Sequence, residues 1–288
     1  MKKKELTGYK VNIKSIFRNQ LSAFVQCLKS HVSTDSDEWT IKGFIVVFKN
    51  IYTISADTKI VSKILEIHIF PKVLQFASEN NYKIVLADHQ NYYPDISFVS
   101  NEDESIKFAV DFKTTYRLSN NPEYCNGFTL GSHGEYFINR TSKKNIQFPY
   151  NEYLGHFCLG IIYSRNAPED IDETQIYSID KLKSIVSVIK NFEFFVCEKW
   201  EIASERSGSG NTANIGSITK IDDIINGNGM FKNLGEKIFD DYWMNYGKIT
   251  ITDDEQKEKK IRNLKDFLNF KGLDIDKINI RTKKVKTK

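Results

Sequence analysis

Two stretches in the first third of the chain carry apolar residues at helical spacing. From Val11 to Leu28 the apolar positions largely follow the 3.6-residue period of an amphipathic helix. Residues 58–78 carry a second apolar stripe, which predicts a helix with Ser55 or Asp57 at its N-cap. Pro71 lies inside this second stretch, and we expect it to kink the helix or to split it in two.

Short apolar runs bounded by polar residues predict the strands. These runs are residues 41–48, 51–54, 84–86, 96–99, 106–115 and 192–202. Residues 153–163 are apolar almost throughout and predict a buried helix that continues into a strand. Residues 164–190 predict a loop, a short strand and a helix, and residues 236–244 predict another helix. This mixed order, without internal repeats, predicts an α/β (α+β mixed) fold with a central mixed sheet flanked by helices.

Length and charge divide the chain into a body and a tail. The 288 residues are enough for one large core, and we expect a single domain over residues 1–252. Residues 253–288 hold 12 basic and 7 acidic residues, a net charge of +5, which leaves the body at −1. The tail is either a solvated, partly disordered end or a segment that touches phosphates.

Composition also bears on the compartment. The four cysteines (Cys27, Cys125, Cys158 and Cys197) are far apart and form no CxxC pair, which argues against a zinc site and a disulfide framework. The basic N-terminus is not followed by an apolar signal segment, and no apolar run approaches the roughly 18 residues of a membrane span. We therefore expect a cytoplasmic protein with no membrane association.

Two carboxylates and a lysine stand at a spacing that suits phosphodiester hydrolysis. Pro94-Asp95 opens one predicted strand, and Asp111-Phe112-Lys113 lies in the next. Because alternate strand residues share a face, Asp111 and Lys113 point to one side. If the two strands pair, Asp95 and Asp111 converge on a divalent cation. Taken alone, the pattern also fits a solvated strand face.

Other candidates depend on this trio. Glu66, in the predicted helix of residues 58–78, is either a surface residue or an additional acid of the same site. The segment from Gly208 to Asn214 is either a flexible turn or a loop whose asparagine and threonine side chains contact base edges. Residues 88–93 form either a DNA-contacting loop or a simple connection. His156, in an apolar run, is expected to be a core histidine.

Five sequence blocks carry a family resemblance. They are SADTK at residues 55–59, QNYYPD at 90–95, DFKTTY at 111–116, GSGNTANIGSI at 208–218 and DDYWMNY at 240–246. With these blocks the chain resembles the EcoRV-type restriction endonucleases, a type II family of the PD-(D/E)xK nuclease superfamily, over about residues 41–246. The resemblance implies a restriction-endonuclease-like fold, and it implies that residues 1–252 form a catalytic and DNA-binding domain with dimerisation elements.

The resemblance also implies roles for individual residues. Asp95 and Asp111 would bind Mg²⁺, Lys113 would be the catalytic lysine, and Glu66 would be an auxiliary acid and metal ligand. The implied DNA contacts are Gly208, Ser209, Gly210, Asn211, Thr212, Ala213 and Asn214 in the major groove, His89, Gln90 and Asn91 in the minor groove, and Thr58, Thr129 and Lys144. Ala213 replaces a threonine of the family, and His89 replaces a glutamine.

The family further implies a homodimer that cuts double-stranded DNA at the centre of GATATC, leaving blunt ends with 5′-phosphate and 3′-hydroxyl groups. A companion DNA methyltransferase is expected in the same system. Two alternatives remain at this level. One is another PD-(D/E)xK nuclease such as a repair nickase, which would not cut both strands of a palindrome. The other is a DNA-binding protein without catalysis. The sequence leaves the identity of the general base open.

Overall fold

The computed structural model describes residues 3–167, 171–208, 213–252 and 257–279, with side chains from Lys10 onward. Its helices are α1 (Lys3–Val32), α2 (Thr58–Glu79), α3 (Glu135–Ile138), α4 (Lys199–Ile202), α5 (Ile221–Ile225), α6 (Glu236–Asn245) and α7 (Leu264–Phe270). Its strands are β1 (Gly43–Ile45), β2 (Asn50–Thr53), β3 (Tyr82–Leu86), β4 (Ile96–Ser100), β5 (Lys107–Leu118), β6 (Asn121–Cys125), β7 (Thr129–Ser132), β8 (Tyr153–Arg165), β9 (Ile176–Ser178), β10 (Ile189–Glu198), β11 (Ala203–Ser207), β12 (Asn214–Ser217), β13 (Thr250–Thr252) and β14 (Glu258–Lys260).

The largest sheet has the strand order β10-β8-β5-β4-β3, and β6 pairs with β5 outside this path. The chain divides into two compact units. Unit 1 comprises Met1–Lys83, Phe112–Asn126 and Leu159–Val196, and unit 2 comprises Ile84–Asp111, Gly127–Cys158 and Cys197–Lys288. The predicted α/β class with a mixed central sheet is confirmed. The prediction of one domain over residues 1–252 stays a prediction.

Unit 1 contains the two long predicted helices. Side chains of α1 at helical spacing (Phe17, Leu21, Val25 and Leu28) are buried, and the Phe17 and Phe76 rings of α1 and α2 meet edge to face. Asp57 caps α2, because its carboxylate accepts hydrogen bonds from the amides of Lys59 and Ile60.

α2 continues through Pro71 and does not split there, contrary to one of the two expected outcomes. A proline at this position removes the amide that would donate to the carbonyl of Ile67. The side chain of Ile67 is exposed, and the buried side chains of Ile69 and Val73 hold the helix on either side of the proline. Packing therefore outweighs the lost hydrogen bond.

The prediction of a helix at the start of residues 153–163 is wrong, because the whole segment is strand β8. A continuous apolar run fits a buried strand as well as a buried helix, since period alone does not separate them. The predicted strand of residues 192–202 ends at Glu198, where α4 begins. Within residues 164–190, β9 is the expected short strand. A short 3-10 helix (Ile179–Ser184) takes the place of the expected helix.

Unit 2 includes the end of the chain. The buried side chains of Leu264, Phe267 and Leu268 line one side of α7, and the Phe267 ring meets Tyr242 of α6 edge to face. The carboxylate of Glu205 on β11 accepts a hydrogen bond from the Leu264 amide. The described part of the C-terminal segment is thus folded within this unit. None of the described helices combines the length and apolarity needed to cross a membrane.

Candidate active site

The hairpin of β4 and β5 places the two predicted aspartates across from each other. The strands are antiparallel, and Ile96 pairs with Val110 as the first rung of the ladder. Asp95 and Asp111 extend this register by one residue, so they occupy directly opposed positions. Opposed side chains in antiparallel strands have Cβ atoms about 4.5–5.5 Å apart. Asp95 is exposed, whereas Asp111 is only 5% exposed.

This pair fits a divalent cation of the Mg²⁺ type. Mg²⁺ keeps several waters and is usually held by one or two carboxylates together with substrate phosphate oxygens. Two carboxylates at cross-strand distance repel each other, and a bound cation relieves that repulsion. The exposed position of Asp95 leaves one side of the pair open to a phosphate. In the described part of the chain, no group of three or more His, Cys, Asp or Glu side chains is arranged to hold a metal.

Lys113 follows Asp111 on the same strand, as the sequence predicts. The two residues are separated by Phe112, which is buried, and Lys113 is half-buried. Alternation along β5 directs both polar side chains to one face of the strand. An acid and an amine therefore alternate with a buried phenylalanine along one strand.

Glu66 and Thr58 lie on α2 in unit 1. The Glu66 carboxylate forms an ion pair of 2.8 Å with Lys63, three residues earlier on the same helix. Thr58 accepts a hydrogen bond of 2.7 Å from the guanidinium of Arg165. The auxiliary acid of the predicted set thus already has a cation beside it on its own helix.

The glycine-rich loop is held at its base by unit 2. The Gly208 amide donates to the Asn214 carbonyl at 2.8 Å, and the His133 amide donates to the Ala213 carbonyl at 2.8 Å. A Cβ at Gly208 would lie 2.7 Å from the Thr129 methyl group, so only glycine fits there without displacing that side chain. Ser209, Gly210, Asn211 and Thr212 lie outside the described residues. His133 is an anchor of this loop that sequence reasoning did not identify.

The second predicted DNA-contacting segment is a turn with three exposed residues, His89, Gln90 and Asn91. The His89 carbonyl accepts from the Tyr92 amide at 3.0 Å, and the two rings are in edge contact. Lys144 is also exposed. These polar side chains are available to a ligand from solvent.

Directly before Pro94, the Tyr93 side chain is buried in a group of aromatic rings. Its phenol oxygen lies 3.0 Å from Nδ1 of His156, which is buried as the sequence predicted. Burial raises the pKa of the Tyr93 phenol well above its ordinary value, and electrostatic interactions with Tyr150 and Asp111 raise it further. Tyr93 is thus a neutral phenol beside the aspartate pair.

Comparison with known proteins gives two matches. The family described as "Restriction endonuclease EcoRV" matches residues 35–272. The chain is also 32% identical over 237 residues to the "Type II restriction enzyme EcoRV" of Escherichia coli, across 82% of this chain and 92% of that relative. The family match includes the β4–β5 hairpin and the glycine-rich loop.

Proposed function

Because the chain belongs to the EcoRV family of restriction endonucleases and is a type II site-specific deoxyribonuclease, we propose that it cuts both strands of DNA at the centre of GATATC. The products would be blunt ends with 5′-phosphate and 3′-hydroxyl groups. The observation that carries the cleavage part of the proposal is the placement of Asp95 and Asp111 one residue beyond the first rung of the β4–β5 ladder, on its two paired strands.

Enzymes of this family depend on a divalent metal, and we propose Mg²⁺ held by Asp95 and Asp111. When bound, the ion supplies Lewis-acid polarisation of the scissile phosphate and acidifies a water molecule. Lys113, on the same strand face as Asp111, orients the attacking water and stabilises negative charge on the phosphoryl oxygens. Glu66 serves as an auxiliary acid once its carboxylate leaves Lys63.

For the choice of sequence we propose that the loop of residues 208–214 reads the major groove. Asn211, Thr212 and Asn214 offer donors and acceptors to base edges, and an asparagine bonds adenine through two hydrogen bonds. Ser209 and Ala213 contribute loop backbone, and the close approach of Gly208 and Gly210 to a base pair requires glycine.

The remaining proposed contacts position the duplex. His89, Gln90 and Asn91 present exposed polar groups to the minor groove. Thr58, Thr129 and Lys144 contact the sugar-phosphate backbone, which fixes the register of the protein on DNA without selecting a sequence.

We also propose a homodimer, since a palindrome presents two equivalent half-sites. Unit 1 carries an exposed apolar row, and we propose that it contacts a second copy of the chain. Phe44, Tyr52 and Ile176 are cross-strand neighbours on β1, β2 and β9, and they are 56, 44 and 52% exposed. Val47 and Phe48, in the turn between β1 and β2, are exposed as well. A contiguous exposed apolar patch is typical of a protein interface. A companion DNA methyltransferase would protect the host copies of the site.

Digestion of a plasmid of known sequence with Mg²⁺, followed by sequencing of the ends, tests this function. We expect one family of blunt ends inside GATATC and cuts in both strands. Asp95→Asn should bind the same duplex and leave it intact. Ends at another palindrome would refute the sequence assignment alone. Nicks confined to one strand would indicate a nickase, and binding without cleavage by the unaltered protein would refute the nuclease.

A further inference from the structure

A buried lysine of unit 2 lies against the ring of Tyr93, two residues before Asp95. Lys199 is the first residue of α4, and its side chain is only 1% exposed. Its ammonium nitrogen lies 3.7 Å from the centre of the Tyr93 ring and 5.9 Å from that of Tyr150. Attraction between a cation and an aromatic face is stronger where water is excluded. The Tyr93 face is therefore a main contact of this ammonium.

The surroundings of Lys199 are shaped to receive the ammonium. A Cβ at Gly131 would lie 3.0 Å from the Lys199 nitrogen and 3.3 Å from the Tyr136 hydroxyl, so a larger residue would crowd both. A capping box between Glu198 and Glu201 fixes the first turn of α4, from which Lys199 projects. Both the backbone of Lys199 and its ammonium group are thus held in place.

The Tyr93 ring is held on its other sides as well. It stacks with Tyr136 at a ring separation of 5.5 Å and an interplanar angle of 9°, and its hydroxyl pairs with His156. Its backbone is tied by two hydrogen bonds, from its amide to the Asn145 carbonyl and from the Gln147 amide to its carbonyl. The ammonium of Lys199 lies over the remaining face, 3.7 Å from the ring centre.

We infer that Lys199 is a positioning residue that holds Tyr93, and through Pro94 the exposed Asp95, in place for the metal. The inference rests on the proposed function, because it requires Asp95 to bind the ion. Asp95 precedes the first rung of the β4–β5 ladder, so strand pairing fixes it from one side only. The buried Tyr93 fixes the chain from the other side. Groups that orient metal ligands usually change metal affinity or activity 10- to 100-fold when they are lost.

The test replaces Lys199 by methionine, which keeps most of the side-chain length and removes the charge. We expect Lys199→Met to raise the Mg²⁺ concentration for half-maximal cleavage about tenfold. Affinity for Mn²⁺, followed by electron paramagnetic resonance on a complex with an uncleavable duplex, should fall by a similar factor. DNA affinity without metal should change less than about twofold, since Lys199 is buried. Lys199→Arg keeps a cation that stacks on aromatic faces and should restore most of the metal affinity.

Two further variants separate positioning from stability. Phe267→Leu, in the α7 core of the same unit, should lower Tm without changing Mn²⁺ affinity. A second series replaces Tyr93 by phenylalanine and then by phenylalanines that carry increasing numbers of ring fluorines. Each fluorine keeps the shape of the ring and weakens the negative charge of its face, so Mn²⁺ affinity should fall with each fluorine added. This series remains informative if Lys199→Met does not fold.

Unchanged Mn²⁺ affinity in folded Lys199→Met, or no dependence on fluorination, would overturn the inference. If those results occur while the unaltered protein cuts and Asp95→Asn does not, the proposed function stands and only the role of Lys199 is refuted. If Asp95→Asn cuts DNA normally, the proposed function itself fails.

Discussion

Asp95 precedes and Asp111 follows the first rung of the β4–β5 ladder, which pairs Ile96 with Val110, so the register extended by one residue sets the two carboxylates across from each other. Two opposed carboxylates repel each other until a cation or a phosphate-bound ion lies between them. The two carboxylates therefore favour binding of a cation at the site that the sequence motif predicts to be catalytic. Removal of either charge should therefore weaken metal binding.

Asp111→Asn tests this relationship. The change keeps the size of the side chain and removes one charge, so we expect cleavage to fall by at least the roughly 10- to 100-fold that loss of a group orienting a metal ligand costs. Metal-free DNA binding should be equal or tighter, because repulsion of the phosphates decreases. Single-turnover cleavage and a metal-free binding titration measure the two effects. Asp222→Asn, an equal charge change at an exposed position of α5, is the control and should behave as the unaltered protein.

The ion pair between Lys63 and Glu66 leads to the prediction that one substitution strengthens metal binding. If Glu66 joins the metal site, Lys63 competes with the metal for its carboxylate. Lys63→Gln should then lower the Mg²⁺ concentration for half-maximal cleavage about twofold, because an exposed ion pair is worth only about 0.2–1 kcal/mol. Glu66→Gln should raise that concentration and slow cleavage. If neither Lys63→Gln nor Glu66→Gln changes the Mg²⁺ concentration for half-maximal cleavage, Glu66 is excluded from the metal site.

The aspartate pair could be predicted from the sequence because it depends on local rules. Alternation along a strand puts Asp111 and Lys113 on one face, and the turn between β4 and β5 is short enough for the strands to pair. The position of Lys199 could not be predicted in this way. A lysine is seldom buried, and its partner Tyr93 is distant in the chain, so no periodicity connects them.

The same reasoning explains the error at β8. Residues 153–163 have no polar alternation, since the strand is buried along most of its length. A helix buried on all sides would show the same pattern. The base of the glycine-rich loop shows a further limit, because the pairing of His133 with Ala213 joins two distant segments through backbone atoms alone. Backbone pairing leaves little trace in residue types.

Asn211→Ala tests the proposed reading of bases. Loss of a two-bond contact to a base should cost about 1–3 kcal/mol of discrimination, which is roughly 5- to 160-fold. We expect cleavage of GATATC to fall by that factor, while non-specific binding changes little. Asn120→Ala, in the exposed turn between β5 and β6, is the matched control. Cleavage of sites with one altered base pair, measured against the cognate site, reports the change in selectivity.

Tyr52→Glu tests the apolar row as a dimer contact. Tyr52 is the middle residue of the row, and a carboxylate there would be buried without a partner in the proposed interface. The dimer should dissociate about 100-fold more readily, equivalent to about 2.7 kcal/mol. Sedimentation at micromolar concentration measures the change. Leu74→Glu, at a 48% exposed position of α2 outside the row, should leave the mass unchanged. A dimer that withstands Tyr52→Glu would place the interface elsewhere.

The His31–His68 pair predicts how stability depends on pH. The rings lie 4.7 Å apart, the indole of Trp39 donates to Nδ1 of His68, and burial, followed by the charge of His31, lowers the pKa of His68 below its ordinary 6.5. As pH falls through 6.5, His68 binds a proton in the unfolded chain before it does so in the folded protein, so the free energy of unfolding decreases. Above 6.5 this contribution to stability is fully present.

Urea unfolding between pH 8 and pH 5 measures this dependence. His68→Gln removes the titrating group, so its free energy of unfolding should change less over this range than that of the unaltered protein. His89→Gln, at an exposed position in unit 2, is the control and should keep the slope of the unaltered protein. A slope that His68→Gln leaves intact would assign the pH dependence to other groups.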